Sequence, residues 1–154
     1  MAIEIERKFL VKAGAWTPRD AGTHMQQGYL SSQNGCTVRV RIEGDQGTMT
    51  IKGRSVGASR GEWEYPIPLL DANELLDRLC EQPIIEKYRR RIPVGGQVWE
   101  VDEFLGANQG LVVAEIELDS EGQQFDKPDW IGQEVTDDRR YFNSSLIRNP
   151  FSAW

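Results

Sequence analysis

Residues 84 to 105 read IIEKYRRRIPVGGQVWEVDEFL. On both sides of Gly95-Gly96, polar and apolar side chains alternate with a period of two. That is the pattern of a half-buried strand, and the paired glycines signal a tight hairpin. One face of the first strand, Ile84–Val94, carries Lys87, Arg89 and Arg91. The second, Gln97–Leu105, sets Glu100 and Asp102 against Trp99 and Val101. The same period extends outward through Ile3–Val11, Met25–Ser32, Thr37–Gly44, Thr48–Ser55, Gly61–Pro68 and Leu111–Asp119, giving eight strands. Gly44-Asp45-Gln46-Gly47 is a second hairpin signal. Leu69–Gln82 breaks the pattern with leucines at helical spacing after Asp71, read as a helix cap, and a second helix is predicted from about Thr136 to Arg148. The expected fold is all-β dominated (α+β), one domain over residues 1–154: an eight-stranded antiparallel closed barrel with a few peripheral helices. Closure removes sheet edges, although periodicity alone leaves an open sheet or sandwich available.

Composition narrows the function classes. The net charge is −6, with no basic run of the kind that neutralises nucleic-acid phosphates. A local basic cluster can still hold a small polyanion whatever the sign of the whole chain. The one histidine, His24, supplies neither His-based zinc sites nor catalytic triads. It precedes a strand and is expected to be exposed. No stretch approaches the roughly 18 apolar residues of a membrane span. The N-terminal MAIEIERKFL is charged at alternate positions, unlike an export signal, so a cytoplasmic protein with reduced Cys36 and Cys80 is expected. Homodimerisation is left open.

Alternate positions along the strands carry like charges in pairs: Glu4/Glu6 followed by Lys8, Arg39/Arg41, Glu62/Glu64, Lys87/Arg89, Glu100/Asp102 and Glu115/Glu117, with Lys52 on the fourth strand. Same-face neighbours two apart lie roughly 6.6 Å from each other. Each like pair costs about 0.6 kcal/mol in water and about 2.5 kcal/mol at an effective dielectric of 20. Six such pairs inside a barrel would cost on the order of 15 kcal/mol, the stability of a whole domain. Solvated faces of amphipathic strands mix charge signs and neutral polar groups. Segregated charge asks instead for cancellation across a lumen, and for bound counter-ions. Oxygen-only acids suit Mg²⁺ or Mn²⁺, and arginines and lysines suit phosphate oxygens, which together equip a site for phosphoryl transfer.

Glu4-Ile5-Glu6-Arg7-Lys8 matches the ExExK signature of the CYTH superfamily, the triphosphate tunnel metalloenzymes. The later pairs follow in that family's order, and Val135 to Asn143 is similar to its closing segment. The resemblance spans residue 3 to about 148. It implies an eight-stranded tunnel in which Glu4, Glu6 and Glu117 ligate the principal metal. Glu62, Glu64, Asp102 and Glu115 then support metals or orient water. Lys8, Arg39, Arg41, Lys52, Lys87 and Arg89 hold the triphosphate, with Arg140, or Arg139, reaching the tunnel end. Arg91 shares the strand parity of Lys87 and Arg89 and is expected at the tunnel mouth. The matching QGYL segment implies that Tyr29 and Lys87 act as a base pair, against a reading of Tyr29 as a core aromatic. Short bacterial members of this type hydrolyse inorganic triphosphate, and no insertion here builds a nucleobase pocket. The alternatives are a class IV-type adenylate cyclase, a thiamine triphosphatase, and a non-catalytic polyphosphate- or nucleotide-binding module.

Overall fold

The computed structural model describes residues 2–33 and 35–154. Among them, nine antiparallel strands form one sheet: β1 (Ile3–Val11), β2 (Thr23–Ser31), β3 (Thr37–Glu43), β4 (Gln46–Lys52), β5 (Ser59–Ile67), β6 (Ile85–Val94), β7 (Gln97–Phe104), β8 (Val112–Glu117) and β9 (Ile131–Glu134). The order is β5-β4-β3-β2-β6-β7-β8-β1-β9, and β5 pairs back onto β1, so the first eight close a barrel. The seam is short: Ile3 opposite Gly61, Glu4 opposite Arg60 and Ile5 opposite Ser59. Further along the same edge of β1, Phe9 and Val11 face Glu134 and Ile131 of β9 instead. This ninth strand is absent from the sequence reading because four residues, IGQE, are too short to display a period of two.

Gly95 and Gly96 adopt φ of 59° and 81°, as a two-residue hairpin with matched twist requires, and Val94 pairs with Gln97. The turn after β3 is likewise two residues, Gly44-Asp45, so β4 starts at Gln46 rather than Thr48. The first α-helix, α1 (Leu69–Arg78), is capped by Pro68, not by Asp71. Asp71 lies in the first turn, where its charge complements the helix dipole. The helix predicted from Thr136 to Arg148 shrinks to α2 (Asn143–Arg148). Before it comes a single 3-10 turn, Arg139–Tyr141, in which the Asp138 side chain accepts from the Arg140 amide, and extended Phe142 breaks the two apart.

Outward-facing apolar residues need cover. On one side, Ala72, Leu76 and Cys80 of the α1 segment pack on Val40 and Ile42. On the opposite side, Phe125 and Trp130 of the β8–β9 connection cover Phe9, Trp99 and Ile116. The inward positions change character along the barrel axis. At one end Tyr29, Ile85, Phe104 and Val113 are apolar, and Tyr141, Leu146 and Ile147 of the C-terminal segment stopper them. Beyond that stopper, the inward positions are almost entirely charged.

Candidate active site

Period two sends Glu4, Glu6 and Lys8 of β1 inward, and the register sets Glu6 opposite Glu117 and Lys8 opposite Glu115. The same alternation places the remaining charges, so the lumen divides into two arcs. β5, β1, β8 and β7 supply Glu62, Glu64, Glu4, Glu6, Glu115, Glu117 and Glu100, with Lys8 and Arg60 the cations on this side. β6, β3 and β4 supply Lys87, Arg89, Arg91, Arg39, Arg41 and Lys52, with Tyr29 of β2 among them and Glu43 of β3 as an acid on this side. Together they line a cavity of about 230 Å³.

Cross-lumen pairing cancels much of the repulsion that the like-charge pairs would cause. The Lys52 Nζ lies 3.0 Å from Glu4 and 3.2 Å from Glu62. Arg60, which sequence reasoning passed over, reaches Glu4 at 3.5 Å. Burial works against a charge on Glu4, but the neighbouring Glu62 carboxyl and the Lys52 ammonium hold it well below the usual carboxylate range. Glu62, buried beside that charge, is pushed up to about 7. Arg39 donates to Thr50 at 3.1 Å and sits 3.5 Å from Glu64, leaving its buried Nε without a partner. Arg91 bridges Glu43 and Glu100 at 2.7 and 3.2 Å and lines the lumen beside Arg89.

Asp102 is brought into the barrel, but not as an accessible ligand. It accepts two bonds from Arg89, at 2.7 and 2.8 Å, and lies 2.8 Å from Lys87. Only 1% of it is exposed, and it does not line the cavity, so it is the buried counter-ion of two cations rather than a metal ligand. Glu115, 3.5 Å from Lys8 and 3.8 Å from Arg89, is resisted by burial yet held down to about 2 by those cations. So weak a base suits positioning better than proton abstraction. Burial pushes the Lys87 ammonium down to about 7, helped by Arg89 and Arg41; Asp102 opposes this, but its oxygens are shared with Arg89. The Lys87 Nζ also donates to Asn143 Oδ1 at 3.1 Å, and the Lys8 Nζ donates to the Tyr141 carbonyl at 3.1 Å, so the start of α2 and the turn before it anchor the two lysines.

Arg140 does not reach the tunnel. Its guanidinium binds Asp138 at 2.7 Å and lies over Tyr141 and Trp154 on the surface. Arg139 lines a neighbouring basin with Arg54 and Arg60. Tyr29 lines the cavity at 4% exposure while its ring belongs to the apolar stopper, so the two readings of it are compatible. The His24 side chain is 42% exposed and paired with Glu86 at 3.0 Å.

Glu6 and Glu117 stand apart. Among the described residues they are lumen carboxylates with no ion pair, and they face each other across adjacent strands. Burial, Glu115 and Glu4 push Glu6 up to about 8, and burial with Glu4 and Glu100 raises Glu117 as well. Carboxylates crowded without compensation are suited to a hard divalent cation. No group of three or more candidate ligand side chains is preassembled among the described residues. Two carboxylates nonetheless fit a metal that takes its other ligands from water and phosphate.

A family model described as the CYTH domain matches residues 2–146. The chain belongs to the CYTH family. Among CYTH proteins it is 52% identical, over 98% of its length and 97% of the relative's, to a protein of Acetivibrio thermocellus named inorganic triphosphatase. It is 38% identical, over 93% of its length and 95% of the relative's, to one of the same name in Nitrosomonas europaea. A crystal structure of an inorganic triphosphatase superposes with a TM-score of 0.65 at 36% identity, covering 94% of this chain and 97% of that one.

Proposed function

We propose that the barrel hydrolyses inorganic triphosphate to pyrophosphate and orthophosphate, using Mg²⁺ or Mn²⁺ in the cytoplasm. The observation that carries this is the split lumen, an arc of cations facing an arc of carboxylates around about 230 Å³. That volume lies below the ~300–1,000 Å³ of pockets that enclose drug-sized organic ligands. Apart from Tyr29 and Phe142, its walls offer no aromatic surface for a base. The cavity itself is therefore scaled to a phosphate chain rather than to a nucleoside. The free cysteines, Cys36 and Cys80, suit a reducing compartment.

Arg39, Arg41 and Arg89 hold the phosphate oxygens, while Lys8 balances Glu115 and Lys52 balances Glu4 and Glu62. Glu6 and Glu117, with Glu4 beside them, would hold the cation, whose chemistry is to neutralise charge on the transferred phosphoryl group. Lys87, poised near 7, is neutral often enough at physiological pH to take a proton from an attacking water. Tyr29 lines the same wall, its hydroxyl oxygen accepting from the buried Gln27 amide. The stopper of Phe104, Tyr141 and Leu146 keeps bulk water from that end, so the field of the arcs acts undiluted.

The test is parallel incubation with tripolyphosphate, ATP and thiamine triphosphate, each with Mg²⁺ or Mn²⁺, reading orthophosphate, pyrophosphate and cyclic AMP. Tripolyphosphate should be consumed far faster than ATP. Cyclic AMP as the main product would overturn the assignment in favour of a cyclase.

A further inference from the structure

Gln27 is a wholly buried polar side chain, 0% exposed, in the middle of the cationic arc. Its Oε1 accepts from both Nε and Nη2 of Arg41, at 3.1 and 3.0 Å, and its Nε2 donates to the Tyr29 hydroxyl oxygen at 3.0 Å. The chemistry of the partners fixes the amide's orientation. A guanidinium only donates, so the carbonyl must face Arg41 and the amino group must face Tyr29. One side chain thus links a phosphate-facing cation to a lumen-facing phenol.

We infer that Gln27 is a positioning residue that keeps Arg41 charged and unneutralised for the substrate and turns the Tyr29 proton toward the lumen. This rests on the triphosphatase reading of the site. The other buried lumen cations have acidic partners: Arg39 has Glu64, Arg89 has Asp102, Lys52 has Glu4, Lys87 has Asp102 and Lys8 has Glu115. Among the described residues Arg41 has no ion pair, only the neutral carbonyl of Gln27. A neutral acceptor fixes the guanidinium's geometry while leaving its full charge to an incoming anion. A carboxylate of the same shape would satisfy the charge internally and compete with phosphate. The Tyr29 oxygen, already accepting from Nε2, directs its own hydrogen away from Gln27, where it can donate to a phosphate oxygen or pass to a neighbouring base. A phenolate at that position would be stabilised by the same amide N–H.

Gln27→Glu separates this role from a structural one, because it keeps the volume and supplies Arg41 with a buried ion pair. A purely structural glutamine predicts unchanged kinetics wherever the fold is retained. The inference predicts that the metal-free variant melts at or above the wild-type temperature. Its KM for tripolyphosphate should rise about tenfold or more, and its kcat should fall. In a Tyr29→Phe background, Gln27→Glu should still raise KM but cause little further loss of kcat. Calorimetric titration of imidotriphosphate, a slowly hydrolysed analogue, with Mg²⁺ into both proteins reads binding apart from turnover, and the affinity should weaken by a similar factor. Folded Gln27→Glu protein with wild-type KM and affinity overturns the inference. Absence of wild-type turnover with an intact difference in binding overturns the triphosphatase reading instead.

Discussion

At the residue scale, the charged set was legible because alternation alone selects the inward face. The partner of each charge was not, because it depends on register between strands far apart in sequence. Asp102 has the same parity as Glu100, yet register places it against Arg89 and it is consumed there. Asp102→Asn should therefore behave as the loss of a buried counter-ion, costing about 3–5 kcal/mol. At roughly 2–4 °C per kcal/mol for a chain of this size, that is a drop of about 6–20 °C in Tm, measured by calorimetry without metal. A variant that keeps its Tm and loses only metal affinity would restore Asp102 to the ligand set. Glu6 is expected to show the opposite behaviour. Its folded pKa of about 8 lies above the unfolded value of 4.5, so the native state retains a proton that the unfolded chain releases. The metal-free protein accordingly loses stability as pH rises from about 4.5 through 8. Replacement by Gln removes this loss, so Glu6→Gln should match wild type near pH 4.5 and melt higher at pH 9, by several degrees. Equal melting temperatures at both pH values would show that Glu6 ionises freely. Gln27 carried a weak signal in the sequence, its parity with Tyr29, but nothing in Gln26-Gln27 announces that its neutrality matters.

At the scale of elements, the eight barrel strands follow from alternation and turn chemistry, with boundaries displaced by a few residues. What escaped the reading are elements made by context: β9, four residues paired to an edge of β1 that the seam leaves free, and the break at Phe142 that shortens α2. The docking of α1 has one sharp requirement. A Cβ on Gly28 of β2 would lie 2.8 Å from the Cys80 Cβ and 3.1 Å from both its Sγ and the Leu76 Cδ2. Gly28→Val should push α1 off Val40 and Ile42, destabilising by about 1–3 kcal/mol through overpacking. Cys80 is buried and free, so its reaction with a thiol reagent in the native protein should accelerate in the same variant. Unchanged Tm and thiol reactivity would mean that the helix is not seated as described.

At the scale of the whole molecule, a chain of net charge −6 concentrates its cations where a polyanion must sit. The two arcs oppose one another, and each needs the ligand that the other attracts. Activity should vanish in excess chelator and return with Mg²⁺ or Mn²⁺; persistence in chelator would remove the metal from the account. Neither ligand alone should stabilise the fold as much as both. With Mg²⁺ and pyrophosphate each at 100 times its Kd, linkage gives about 2.7 kcal/mol for a single site, a Tm rise of roughly 5–10 °C. Glu117→Ala should abolish that rise and the turnover while leaving the metal-free fold intact, since it removes one acid from a repulsive cluster. The most direct test of the two-arc tunnel is anomalous diffraction from crystals grown with Mn²⁺ and imidotriphosphate, a slowly hydrolysed analogue. A manganese peak is expected between Glu6 and Glu117, with the phosphate chain running from it to Arg39 and Arg41. A manganese peak outside the lumen, or a triphosphate bound only at the surface, would contradict it.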